Sequence, residues 1–423
     1  MTGRSLAGSR TLRAFRHRNY RLFFGGQLVS LIGTWMQTLA QAWLILKLTG
    51  DPFMLGLASA FQWLPILVLG LFAGIVADTL PKRPTLIVTQ VVMMALAAIL
   101  GILVWTEAVE VWMILAIALL LGVANAVDMP VRQAFAAEMV GRDDVANAVA
   151  LNSAMFNTAR IVGPALGGLF ITAFGLALAF LLNAASFLAV IVGLLLMRDE
   201  ELLAPPLLPR PRSAREVGTN LAEGLRYVRA TPLVLMATLV VGLVSTFSMN
   251  FNVLVPPYAR DILGQDADGL GFLMAAMGVG SVLAALLLAR AARPSPWAIV
   301  GGALLAGLAE MATGFARAYP VGLGLMFLVG LGAIGMAATA NTTIQIAVPN
   351  ALRGRVMAIY TTVFAGSTPI GGLFAGLVAS AWGVPAALAI GGAIAVVTGL
   401  LGMAWLRRLP SPGPVEPGAI EAS

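Results

Sequence analysis

Twelve stretches of about 20 mostly uncharged, apolar residues recur along this chain, and no other feature constrains its fold as strongly. A helix of that length rises about 30 Å, the thickness of a bilayer's hydrocarbon core. The runs are continuous and lack the alternation of a membrane strand, so helices are expected in place of a barrel. The expected spans are 22–46, 53–76, 84–105, 111–131, 148–172, 177–197, 232–256, 268–289, 297–316, 320–343, 357–380 and 384–406. Pro65, Pro164 and Pro369 fall inside spans, where neighbouring helices can satisfy the freed backbone groups. Only 11% of the residues are charged, against roughly 25% in a soluble domain. That is too little charge to wet a globule of 423 residues. The expected fold class is an all-α membrane protein with twelve transmembrane helices.

The charges that remain are sorted by side. Tails and alternate connections hold Arg13, Arg16, Arg18 and Arg21, then Lys82 and Arg83, Arg142, Arg210 to Arg229, Arg290 and Arg293, Arg353 and Arg355, and Arg407 and Arg408. The opposite connections hold Lys47, Arg260 and Arg317 beside Asp51, Glu107, Glu110, Asp261, Asp266 and Asp268. Basic residues mark the cytoplasmic side, so both termini are expected there, in a multi-pass protein of the inner (plasma) membrane. On this orientation Ala108 and Ala267 lie outside, and Ala214 and Ala351 inside. The same asymmetry accounts for the net charge of +7 without a nucleic-acid partner. Ala40-Gln41-Ala42 resembles a signal-peptidase site, but the apolar stretch is long and many spans follow, so a retained first helix is expected. The absence of cysteine excludes disulfides, thiol catalysis and thiolate metal sites. The single histidine, His17, sits in the basic N-terminal tail. No catalytic set can be assembled, and no metal or cofactor is expected: the sequence does not read as an enzyme.

Four regions follow: an N-terminal six-helix half (1–197), a cytoplasmic linker (198–231), a C-terminal six-helix half (232–408) and a disordered tail (409–423). In the linker, Pro205 to Pro211 precede Ser213-Ala214-Arg215-Glu216, a capping-box start. Val217, Leu221, Leu225 and Val228 then share one helical face, with Arg215, Arg226 and Arg229 available to lipid headgroups, so an interfacial helix is expected. The halves resemble one another. Gly163-Pro164-Ala165-Leu166-Gly167-Gly168-Leu169-Phe170 in the fifth span recurs about 205 residues on as Ser367-Thr368-Pro369-Ile370-Gly371-Gly372-Leu373-Phe374 in the eleventh. Phe174-Gly175 and Trp382-Gly383 follow them. A duplicated six-helix unit is a common plan of secondary transporters, with the site between the halves.

Polar residues inside the spans form stripes. Gln27, Ser30, Thr34, Gln37, Thr38 and Gln41 fall within about 100° around the first helix. Thr238, Ser245, Ser248 and Asn252 stripe the seventh span, and Thr339, Thr342 and Thr343 the tenth. Asn125 shares the face of Asp128 in the fourth. Polar groups are costly against lipid, so these stripes either line a wet cavity or bond across helices. Arg160 in the fifth span either binds an anionic substrate group or pairs with Asp128. Glu310 in the ninth is expected to snorkel toward the outer surface. Spans one, seven and ten carry no carboxylate.

Several motifs together resemble the major facilitator superfamily. After the second span the chain reads Gly74-Ile-Val-Ala77-Asp78-Thr-Leu-Pro-Lys82-Arg83, similar to that superfamily's loop signature, although Thr79-Leu80-Pro81 departs from it. Gly163-Pro164-x-x-Gly167-Gly168 resembles the antiporter motif of its drug exporters. Asp128-Met-Pro130-Val-Arg132-Gln-Ala-Phe135, with Asn147-Ala148, Leu151-Asn152-Ser153 and Ala159-Arg160-Ile161, resembles the branch with enterobactin and macrolide exporters, the transmembrane secretion effectors. The resemblance covers roughly residues 12–408. It implies a latch of Asp78, Lys82, Arg83, Asp128 and Arg132 that holds the cytoplasmic side closed; the plain alternative is that Asp78 caps a helix or orients the chain. It implies that spans one, four, seven and ten line a central cavity. It also implies export of a small amphipathic compound by alternating access with proton antiport. The expected partners are that small-molecule substrate, membrane lipid and protons, with a monomer as the unit. An importer or facilitator of a metabolite, and a non-transporting secretion or signalling factor, are the alternatives. The fifth-span glycines are expected to pack on Gly271, Ala275, Gly278 and Ser281 of the eighth span.

Overall fold

The structure, a computed structural model, describes residues 10–141, 143–203, 214–291 and 295–409, with backbone only at 10–11, 70–79, 214–218, 220 and 365. Arg142, Pro205 to Pro211, Arg210, Ser213, Arg293 and the tail from 410 lie outside the described residues, as do the side chains of Asp78 and Arg215. The loop-motif Gly74 also lies in the backbone-only stretch. The first six spans are α1 (Arg18–Thr49), α2 (Pro52–Thr79), α3 (Lys82–Trp105), α4 (Val111–Val140), α5 (Val145–Phe174) and α6 (Leu176–Leu195). A connecting helix α7 (Ala214–Ala230) precedes a broken seventh span, made of α8 (Pro232–Phe247), α9 (Phe251–Pro257) and a π turn over Tyr258–Ile262. The last five spans are α10 (Ala267–Arg290), α11 (Pro296–Phe315), α12 (Tyr319–Ala347), α13 (Asn350–Trp382) and α14 (Val384–Arg408). Twelve spans are long and apolar enough to cross a membrane.

The outward surface is apolar along the bundle, with Val88, Ile102, Leu286 and Leu401 all more than half exposed. One end of the bundle carries Lys82, Arg83, Arg353, Arg355, Arg407 and Arg408 and is called the basic end below. Trp105, Trp112 and Trp382 ring the opposite end at 61–69% exposure, the placement of an interfacial aromatic belt. Two helices run further than hydropathy suggested: α4 continues to Val140 and α13 begins at Asn350, both at the basic end. The turns after α5 and α13 each pivot on a glycine, Gly175 at φ +84° and Gly383 at φ +85°, a region that favours glycine.

The linker helix exists, and Val228 of the expected apolar face helps to dock it on the last six spans. Gly224 lies against Ile359 and Arg355 of α13, Val228 is buried, and Glu223 pairs with Arg355. Leu221 and Leu225 remain exposed and available to lipid.

Buried apolar residues form three clusters, and their arrangement positions the site. Opposite the basic end a single cluster joins α1–α6 to α9–α14, from Leu39 and Leu46 through Leu254, Leu270 and Ala375 to Leu388. Toward the basic end the core divides. One cluster gathers Tyr20, Phe23, Val131, Phe135 and Leu194, all within the first six spans. The other gathers Val241, Ile299, Met336, Ile344 and Tyr360, all within the last six. The helices are thus welded at one end and parted at the other.

Candidate functional site

A cavity of about 480 Å³ runs along the first six spans, with Asn252 as the one described lining residue from the last six, a size suited to a small organic molecule. All six residues of the first-span stripe line it: Gln27, Ser30, Thr34, Gln37, Thr38 and Gln41. Asn125 joins from α4, with Met129, Arg132 and Gln133 toward the basic end, and Asn252 reaches it from α9. Trp35, Trp63, Phe156 and Phe187 supply aromatic walls. Arg132 is the one charged residue among the described lining residues. Its wall is therefore carboxamide and aromatic: many donors and acceptors on an apolar frame, with one cation at the mouth.

Sequence reasoning missed part of this wall. Gln62 of α2, Gln90 of α3, Asn152 of α5 and Asn183 of α6 also line it. Each is a lone carboxamide on its face, so no stripe announces it; a single amide deep in an apolar span was the available signal. Asn183 donates to Gln37 at 2.6 Å and thereby fixes that side chain across the α1–α6 seam.

Five expected cavity residues lie elsewhere. Arg160 donates to Ser281 Oγ at 3.2 Å and so bridges α5 to α10, which excludes its pairing with Asp128 here. Ser245 is buried and bonds Met249 Sδ at 3.7 Å. Ser248 donates to Glu310. Thr339 is buried within α12, and Thr342 donates to Ala338 O at 2.9 Å, its own helix four residues back. A hydroxyl satisfied by its own backbone needs no wet cavity, so a threonine stripe is a weak marker of one. Glu310 does not snorkel: it is fully buried between helices.

The charged motif residues staple helices together at the basic end. Asp128 is fully buried, accepts from Thr89 Oγ at 2.8 Å and Gln90 Nε2 at 2.9 Å, and pairs with Arg132 at 2.6 Å. Lys82 pairs with Glu138 on the extended end of α4. Arg83 pairs with Asp199 and donates to the carbonyls of Leu194 and Leu195 at the end of α6. These contacts all fall within the first six spans and the start of the linker.

Near them the N-terminal segment docks onto the start of α5. Asn147 accepts from the Ala14 amide at 2.8 Å, and the Tyr20 hydroxyl lies 3.0 Å from Asn152 Oδ1. Asp144 is 1% exposed, with His17 Nε2 at 2.9 Å, Arg16 at 2.8 Å and Arg13 at 3.4 Å. The His17 bond and then the two guanidinium charges, against the opposing effect of burial, hold its carboxyl below the usual carboxylate range. A depressed carboxyl stabilises the folded state above its unfolded value and loses that contribution as pH falls through the folded one. The docking is therefore complete at neutral pH and weakens only below about pH 4. A single cysteine at Ala14, buried in the native chain, should resist thiol reagents at neutral pH, and Asp144→Asn should speed its labelling several-fold. Equal rates in the two backgrounds would refute the anchoring role.

The fifth- and eleventh-span glycines form a paired set of close approaches. A Cβ on Gly168 would stand 2.4 Å from Ala267 O, and one on Gly271 would stand 2.5 Å from Pro164 O, so α5 and α10 touch backbone to backbone. A Cβ on Gly56 would stand 2.3 Å from Gly372 O, which joins α2 to α13 in the same way. Gly163 and Gly167 do not face the eighth span: they pack on Trp35 and Met36 of α1. Gly371 likewise packs on Thr246 and Asn250 of the seventh span. In each glycine pair the first residue seats the first or seventh span and the second seals against the tenth or second helix. Pro164 sits buried between Gly163 and the α10 contact. Arg260 adds a polar tie opposite the basic end, donating to Leu46 O at 2.7 Å.

Comparison with known proteins agrees with this geometry. The family described as transmembrane secretion effector matches residues 9–412. The multidrug efflux pump Tap of Mycolicibacterium fortuitum is 29% identical over 84% of this chain and 87% of its own length. The staphyloferrin A transporter of Staphylococcus aureus is 24% identical over 86% and 90%, and the enterobactin exporter EntS of Shigella boydii 29% over 62% of each. Among solved structures, a bacterial homologue of the human lysosomal transporter Spinster, inward-facing and occupied, superposes with a TM-score of 0.73 at 14% identity, covering 96% of this chain and 100% of that one. A POT family transporter in complex with a thioalcohol-conjugated peptide gives a TM-score of 0.75 at 12% identity, covering 95% and 100%. The chain therefore belongs to the transmembrane secretion effector family of the major facilitator superfamily and is a multi-pass membrane transporter.

Proposed function

We propose that this chain exports a small amphipathic compound from the cytoplasm by alternating access, with protons moving inward in exchange. The observation that carries the reading is the carboxamide- and aromatic-lined cavity, sealed at one end by glycine contacts and parted at the basic end. The working parts are the halves 1–197 and 232–408, joined by the linker 198–231 and rocking about the cavity. With the basic end cytoplasmic, the cavity in this structure faces the cell interior, where an exporter loads. The lining residues described include no carboxylate and one cation, Arg132. That favours uncharged or singly anionic amphiphiles over organic cations, because an unpaired cation would meet no countercharge. The named relatives, an efflux pump and siderophore transporters, are consistent with outward transport.

Radiolabelled chloramphenicol, a neutral aromatic amide, is a fitting first probe within a screen of neutral and anionic amphiphiles. An efflux-deficient host expressing the chain should accumulate less label, and a protonophore should abolish the difference. Higher accumulation would make the protein an importer, and extrusion that survives the protonophore would remove the proton. A screen with no effect at all would sink the exporter reading. Orientation is tested on the same cells, since the chain contains no cysteine. Cysteines at Ala108 and Asp266 should react with an impermeant reagent from outside, and those at Ala230 and Ala351 should not. Asp266 replaces Ala267, which is buried against Gly168.

A further inference from the structure

The proton-exchange reading needs a site for the proton, and the cavity wall does not offer one. Outside that wall, Glu310 is 0% exposed in α11, five residues before the end of the helix at Phe315. One carboxyl oxygen accepts from Ser248 Oγ, and the other, Oε1, has no hydrogen-bond partner among the described residues. Oε1 faces Gly391 of α14, where a Cβ would stand 3.0 Å away, so the glycine leaves room for the carboxyl.

Among the described residues, no positive charge pairs with this group. α8 has no ionisable residue, and Glu310 is the only one in α11. In α12 and α14, the other helices packed on α11, the ionisable residues are Tyr319 at the start of α12, and Arg407 and Arg408 at the far end of α14. Arg317, beyond the end of α11, donates to Gly314 O and Ala316 O. An ionised carboxyl here would be a buried charge without a partner, which is among the costliest arrangements in a protein interior. The neutral acid suits the site, and it costs only one unmet oxygen.

The partner it does have is informative. Ser248 begins the non-helical stretch Ser248–Asn250 that breaks the seventh span into α8 and α9. The same break is held by Gly371 of α13, whose absent Cβ makes room for Thr246 O and the Asn250 side chain. Four residues beyond Ser248, Asn252 enters the cavity wall. Glu310 therefore bonds to the point at which the cavity-lining α9 departs from α8.

We propose that Glu310 is the protonation site that couples proton movement to rearrangement of the broken seventh span. The inference rests on the proton-exchange reading above. As the neutral acid, Glu310 holds Ser248 and keeps the seam of α8, α11 and α14 closed. When it loses its proton, the carboxylate requires water, and water reaches it only if the break moves away and the end opposite the basic end opens. A proton taken up there from the outer solution closes the seam again. It leaves to the cytoplasmic solution along the break, by way of Ser248 toward the cavity at Asn252. One proton is carried per cycle, and no other species is consumed.

The test needs no substrate. A single cysteine at Ala267 lies under the glycine seal and reports opening of that end, and one at exposed Ala108 reports thiol chemistry alone. In lipid nanodiscs, the ratio of Ala267 to Ala108 labelling should rise several-fold from acid to alkaline pH. Glu310→Gln keeps the acceptor for Ser248 but cannot ionise, so in that background the ratio should be flat. A carboxylic-acid carbonyl band that titrates in the infrared spectrum of the otherwise native chain should be missing from Glu310→Gln. A ratio that still rises in Glu310→Gln, a flat ratio with Glu310 present, or identical infrared titrations would each overturn the proposal. If the pH response and the band both depend on Glu310 while proteoliposomes extrude nothing under a proton gradient, the site stands and the antiport reading falls.

Discussion

Leucine in place of Gly168 should abolish extrusion while leaving the protein in the membrane at near-normal abundance. The Cβ alone would stand 2.4 Å from Ala267 O and 2.8 Å from Asp268 Cα. Both are backbone atoms of α10, which cannot rotate aside as a side chain could. Forcing bulk into a packed seam costs about 1–3 kcal/mol. If that cost falls on the sealed state alone, its population drops by roughly 5- to 150-fold against the open one. The end opposite the basic end would then stay open, and a cysteine at Ala267 should become reactive. Gly167→Leu should behave differently, because a Cβ on Gly167 would stand 3.1 Å from Met36 Cα on α1 and not against α10. It should lower stability without exposing Ala267. Gly301→Leu is the control, since nothing lies within 4 Å of a Cβ there. Normal extrusion by Gly168→Leu, with Ala267 still protected, would show that the seal is not part of the cycle.

The contrast between Gly167 and Gly168 marks what could be read from the sequence and what could not. Adjacent residues on a helix point about 100° apart. A Gly-Gly pair therefore announces two close approaches, and only the fold says to which neighbours. The spans themselves were legible because lipid leaves no other way to arrange such apolar runs. The first-span stripe was legible for the same reason: six polar side chains on one face have to meet water or one another, and all six meet the cavity. Thr342 of the tenth span looks similar in sequence yet turns back to its own helix. Asp128 and Arg132 could be paired from their spacing of four. Lys82 with Glu138, Arg83 with Asp199, and Glu310 with Ser248 join residues 56, 116 and 62 positions apart, and no periodicity predicts them. Glu310 was misplaced for a related reason. An apolar helix with one carboxylate looks the same whether that face meets lipid, headgroups or three other helices.

Asp128→Ala should be the most destabilising single change at the cavity mouth, at about 3 kcal/mol. Its carboxylate is fully buried and serves three partners: Thr89 and Gln90 on α3, and Arg132 one turn further along α4. Removing it strands the Gln90 amide of α3, while Thr89 keeps Leu86 O at 3.0 Å, and frees a guanidinium that now lines the cavity. Breaking a buried pair from one side is costly chiefly because the other charge remains. Arg132 is 22% exposed, so cavity water recovers part of that cost. Asp128→Asn keeps size and one acceptor but not the charge, and should fall between Ala and the native residue. The decisive comparison is Asp128→Ala with Arg132→Met. Removing both charges should restore part of the loss, because the orphaned cation is gone and only the Gln90 amide stays unmet. Survival of detergent-purified protein after graded heating measures all four corners of the cycle. If the double variant is no better than Asp128→Ala alone, Arg132 is not the burden, and the role of Asp128 is confined to joining α3 and α4 through Thr89 and Gln90.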